Sequence, residues 1–77
     1  MISFSLTNEQ KKAAMQTVVN NLESEIYHII LFMGSDPESF DFSQIESMAT
    51  AEAPSNEHRL YNNYTRYNQL KAQIASL

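Results

Sequence analysis

A chain of 77 residues and 8.8 kDa has room for one domain, residues 1–77, and for a small core. It has no cysteine, so neither disulfides nor a cysteine-ligated zinc can reinforce that core, and one glycine with two prolines is too few turn-formers for an all-β fold. Hydrophobic residues at 43% exclude a disordered tail, while a net charge of −4 disfavours nucleic acid and anionic membrane and favours a basic surface on a protein partner.

The chain opens on Ile2, Phe4 and Leu6 alternating with serines. This reads as a short extended arm or a frayed end. With no basic residue and no long apolar run, the opening lacks the pattern of a secretory signal. The longest apolar stretch, Ile26 to Met33, contains His28 and is too short to span a bilayer. A cytoplasmic protein is expected.

Thr7-Asn8-Glu9-Gln10 fits a capping box, with Thr at the cap and Gln three residues later. Apolar residues then recur at Met15, Val18, Leu22, Ile26, Ile29 and Met33, always three or four apart, which is helical periodicity. Val19 and Ile30 widen the stripe, and Gly34 is a natural stop. The predicted helix is about 39 Å long. From Ile26 to Met33 it is apolar nearly all round, so that end must be covered on several sides.

Ser35-Asp36-Pro37-Glu38 reads as a turn and restart, with Asp36 able to cap and Pro37 at the first helical position. Ser43-Gln44-Ile45-Glu46 reads as a further capping box. The segment is therefore either one helix from Pro37 or a turn followed by a helix from Gln44. In both cases Phe40, Phe42, Ile45 and Met48 supply the cover for the first helix. Pro54 and Ser55 break the chain again. A last helix is predicted from about Asn56 to Ser76, with Leu60, Tyr64, Tyr67, Lys71, Ile74 and Leu77 in one row and Tyr61 and Leu70 beside it. The fold class is all-α: a helical hairpin of two long helices with a short helical connector. Such hairpins leave apolar surface that self-association into a bundle would bury.

Three constellations could carry chemistry. Glu25-Ile26-Tyr27-His28 has the Glu-x-x-His spacing of di-iron bundles. An antiparallel last helix would set Glu25 against Tyr64 to Asn68, where no second carboxylate stands, so a surface Glu and a boundary His are the plainer reading. Glu57-His58-Arg59 opens a helix on diverging faces, and Glu57 suits the helix dipole there better than acid–base catalysis. No catalytic residue, metal ligand or cofactor is assigned. Finally, Tyr61, Tyr64, Arg66 and Tyr67 interleave aromatics with a cation. This pattern serves a core, a protein interface or, against the acidic net charge, a single nucleic-acid strand gripped by Tyr61, Arg66 and Lys71. Met15, Met33 and Met48 read as core fillers.

Charge is uneven. Asp36, Glu38, Asp41, Glu46 and Glu52 crowd the middle segment without a base, while Arg59, Arg66 and Lys71 lie on the last helix. The size, acidity and helicity are similar to those of many small phage-encoded and accessory proteins, a likeness of composition that transfers no residue. The expected function is a non-enzymatic, self-associating helical interaction module, an adaptor or assembly subunit. Its candidate partner-binding residues are Tyr61, Tyr64, Arg66, Tyr67, Glu38, Asp41, Glu46 and Phe32. The alternative is a small acidic inhibitor, of the kind phages encode, that blocks a basic site on a host enzyme or nucleic-acid-binding protein.

Overall fold

In a computed structural model of the chain, which describes residues 3–52 and 55–77, the first capping box closes as its residues require. Thr7 Oγ1 accepts the Gln10 N–H at 3.1 Å, and Gln10 Oε1 accepts the Thr7 N–H at 2.9 Å. Helix α1 then runs Asn8–Phe32, 25 residues. It ends in a Schellman turn: the Ser35 N–H donates to Ile30 O at 3.1 Å and the Gly34 N–H to Leu31 O at 3.0 Å. Gly34 sits at φ +81°, the left-handed conformation this turn demands and glycine adopts without penalty. Ile2 of the expected arm and Pro54 of the expected break lie outside the described residues. Residues 3–7 take no regular structure, and Phe4 and Leu6 are exposed.

The middle segment is a turn over residues 37–39 and then a 3-10 helix, Phe42–Thr50. Asp36 starts the turn by accepting the Glu38 N–H at 3.1 Å. The expected capping box at Ser43 is overturned, because Asp41 is the cap. Its Oδ1 accepts both the Ser43 N–H at 3.0 Å and the Ser43 hydroxyl at 2.6 Å, which takes the hydroxyl out of use as a cap. The 3-10 winding follows from the spacing of the apolar residues. Phe42, Ile45, Met48 and Ala51 recur every third position and all are buried or half-buried. About three residues per turn sets them in one straight row, which an α-helix would splay.

Helix α2, Asn56–Ala75, starts at Ser55, whose hydroxyl accepts the His58 N–H at 3.1 Å. Glu23 on α1 meets Tyr67, whereas Glu25 meets Arg59. The numbering rises on one helix as it falls on the other, so the long helices form an antiparallel hairpin. The 3-10 helix packs on α2 near the closed end. There Ile26, Ile29, Ile30, Ile45 and Leu60 form the core, with Met33, Phe40, Phe42, Met48, Tyr61, Tyr64 and Tyr67 packed around it.

Two expectations change in the three-dimensional arrangement. The apolar end of α1 is covered only in part: Tyr27, Leu31 and Phe32 remain 46%, 51% and 78% exposed. Leu70, placed beside the row, is a core residue, and Lys71, placed in the row, is exposed. The antiparallel register carries Leu70 to the level of buried Val19 and leaves Lys71 at the edge. The acidic middle segment makes no ion pair with α2 among the described residues, where Arg59–Glu25 is the one salt bridge.

Truncating Leu60, which is fully buried in the cluster, is expected to cost about 2–5 kcal/mol in chemical denaturation. Gly34→Ala is expected to cost about 1 kcal/mol, from the left-handed backbone alone. A Cβ added at this position would meet nothing within 4 Å, so a much larger loss would show that the turn is packed more tightly than this.

Candidate functional site, a tyrosine-lined groove beside an acidic cap

Successive turns of α1 set Glu23 and Tyr27 on one flank of the hairpin seam, and the buried Ile26 and Ile30 at its floor. Tyr64 and Tyr67 come from α2 on the same flank, and Phe42 and Pro37 close the upper end. Together these residues line a groove of about 380 Å³. Its walls are held by aromatic contacts. Phe42 stacks on Tyr64 with ring centres 4.8 Å apart and planes 14° from parallel, and Phe40 meets Phe42 edge-on at 5.0 Å. Aromatic pairs of this geometry add about 0.5–1.5 kcal/mol beyond the area they bury.

A polar rail runs along the lower rim. The Tyr67 hydroxyl donates to Glu23 Oε1 at 2.9 Å, and Lys71 Nζ donates to the Tyr67 oxygen at 3.2 Å while lying 5.1 Å from the ring centre. Glu23 and Lys71 are exposed, so the rail orients Tyr67 more than it stabilises the fold.

The candidate residues read from the sequence divide accordingly. Tyr64 and Tyr67 come together in the groove wall, half-buried. Tyr61 packs against the core nearer the cap. Arg66 is exposed and takes no part in the groove lining. Phe32 stands exposed at the end of α1. Glu38, Asp41 and Glu46 are exposed on the middle segment, but Asp41 is occupied as a cap. Its bonds to the Ser43 hydroxyl and then to the Ser43 N–H hold its carboxyl below the ordinary aspartate value. Glu23, Tyr27, Pro37 and Phe42 were not among the sequence candidates. The signal for Glu23 and Tyr27 is their four-residue spacing on the flank of the isoleucine stripe, which puts a carboxylate and an aromatic side by side.

Glu25 does not face Tyr64 to Asn68 as expected. It lies on the opposite flank from Glu23, where its Oε1 accepts from Arg59 Nη2 at 2.8 Å. With both side chains about half exposed, the pair is worth only about 0–1 kcal/mol. His28 Nδ1 lies 2.7 Å from Ser24 O. A carbonyl can only accept, so Nδ1 carries the proton. Among the described residues no three His, Asp or Glu side chains converge where a metal ion could be held. No helix there is long and apolar enough to cross a membrane.

Replacing Phe42 and Tyr64 singly and together by Leu is expected to give a coupling of about 0.5–1.5 kcal/mol in a double-mutant cycle, and additive losses would deny the stack. Acid should weaken the Asp41 cap of the 3-10 helix. A lowered carboxyl pKa stabilises the fold above the ordinary value of 3.8, and that contribution disappears as pH falls through the lower folded value. The Ser43 amide resonance should report this on acid titration; a midpoint at the ordinary value would deny the bond. Comparison of the chain with protein families, with curated proteins and with solved structures gives no match.

Proposed function

We propose that the chain is a non-enzymatic helical protein–protein interaction module, an adaptor or assembly subunit that self-associates. The observation that carries this reading is the apolar surface left over after folding. Tyr27, Leu31 and Phe32 are exposed although they adjoin the core residues Ile26, Ile29 and Ile30. On the other flank of the same helix Val18 is 44% exposed. Exposed apolar residues are ordinary singly, but a group of them beside an aromatic groove is the make-up of a contact surface. The proposal includes a cytoplasmic setting and a partner that is protein rather than nucleic acid, for which the net charge of −4 is the support.

The second reading, an acidic inhibitor of a basic site, draws on the exposed carboxylates of Glu38 and Glu46 in a stretch without a base. Asp41 serves the fold as a cap, so its reversal would confound any binding assay.

Light scattering on a sizing column over a range of concentrations is expected to give a dimer or larger species. A strict monomer at high micromolar concentration would overturn self-association. The inhibitor reading expects Glu38→Lys with Glu46→Lys to abolish binding to a cationic protein surface while the helical circular dichroism is kept. Unchanged binding would remove it.

A further inference from the structure

The hairpin is finished at one end and unfinished at the other. The 3-10 helix adds a third piece only near the closed end, where all five residues of the core cluster lie. In the open half, built from the first turns of α1 and the last turns of α2, Val19 and Leu70 are the buried hydrophobics among the described residues. Met15, Leu22, Ile74 and Leu77 are only half-buried there, and Val18 is exposed. Two helices alone cannot enclose these side chains, because each apolar stripe is wider than the strip one neighbour covers.

On α1 the unfinished face has a regular order. Lys11, Met15, Val18, Leu22 and Glu25 follow one another at spacings of four, three, four and three. That is a heptad seam with a cation at one end, an anion at the other and apolar residues between. Residues seven apart differ by only about 20° round a helix and about 10.5 Å along it. Lys11 and Glu25 are therefore symmetric about Val18, seven residues to either side. The flank is also distinct from the tyrosine groove, since Glu25 marks it by its bond to Arg59 while Glu23 marks the groove side.

We propose that this seam is the contact between two copies of the chain, paired antiparallel across a two-fold axis at Val18. In that arrangement Lys11 of each copy meets Glu25 of the other, and Met15 comes within one residue's rise of Leu22. Glu25 gives one oxygen to Arg59 and has a second for the incoming ammonium. Parallel pairing would set Lys11 against Lys11 and Glu25 against Glu25, so charge selects the antiparallel direction. The occupant is a second copy because the seam complements itself, which is the property an isologous interface requires. The product is a four-helix bundle with its tyrosine grooves facing outward.

The inference rests on the self-association proposed above and places its interface. It is tested by measuring the mass of the full chain, of Val18→Glu and of Leu31→Glu, with circular dichroism as the check on folding, and by oxidising Val18→Cys. The expected result is a dimer for the unaltered chain and for Leu31→Glu, and a dissociation constant raised at least about 30-fold for Val18→Glu. Val18→Cys should form a covalent dimer, since a residue on a two-fold axis meets its own copy. A dimer that survives Val18→Glu and is lost with Leu31→Glu would overturn the inference and leave self-association standing, moved to the groove flank. A monomer for the unaltered chain at every concentration would overturn self-association itself, and the seam with it.

Discussion

Ile26, Ile29 and Ile30 lie on little more than one turn of α1, and all three are withdrawn from water. Fully burying a side chain of this size is worth about 1.5–3 kcal/mol, so no arrangement that leaves the three exposed competes. Leu60 comes from α2 and Ile45 from the 3-10 helix to cover them. That requirement draws the chain back on itself after Gly34 and fixes which end of the hairpin is closed. It also binds the middle segment to the structure, where Phe40, Phe42 and Met48 pack against the same core beside Ile45. The caps at Thr7, Asp41 and Ser55 and the Schellman turn at Gly34 then settle the backbone groups at each boundary.

The acidity of the middle segment looks different once its bonds are traced. Asp36 and Asp41 accept backbone N–H groups at the start of a turn and of a helix. Carboxylates are suited to that place because they accept without carrying a competing donor, and their charge opposes the partial positive charge of a helix start. Two of the five acids are thus explained by folding, and Glu38, Glu46 and Glu52 remain for solvent or a partner. The same segment winds as a 3-10 helix because four apolar residues at intervals of three must reach one surface together. Local hydrogen bonding agrees, with the Ser47 hydroxyl donating to Gln44 O at 2.7 Å.

The helical hairpin was legible in the sequence because its signals are redundant. Thr7 to Gln10 caps, a three-and-four spacing runs through Ile29, and Gly34 stops, and together these signals place α1 within a residue or two. The connector was not legible to the same degree. Its period of three was present in Phe42, Ile45, Met48 and Ala51, but Ser43 and Glu46 also fitted a capping box, and only the Asp41–Ser43 bond decides between the two. Leu70 and Lys71 were misassigned for a related reason. Periodicity gives a face of about 100°, and the helix register that chooses between its edges is a tertiary property. The candidate residues fared likewise: Tyr64 and Tyr67 are in the groove, but Glu23, Tyr27 and Phe42 complete it from other elements, a convergence that no single stretch of sequence contains.

A chain of this size without disulfides stabilises its core by tighter packing or by a partner. The closed end uses the first, with a third segment and an aromatic stack laid over the isoleucines. The open end has no third segment, and its half-buried residues sit on a seam that opposite charges terminate. The two flanks therefore differ in kind. On the groove flank, aromatic rings and a carboxylate surround a concave surface fixed by internal contacts, a shape that can receive a foreign side chain. On the Val18 flank the surface is a straight ridge of alternating spacing, a shape that matches another ridge. The difference between the flanks follows from where the middle segment lies. It caps the end that needs burial most and leaves Val18 uncovered on the remaining length of the hairpin.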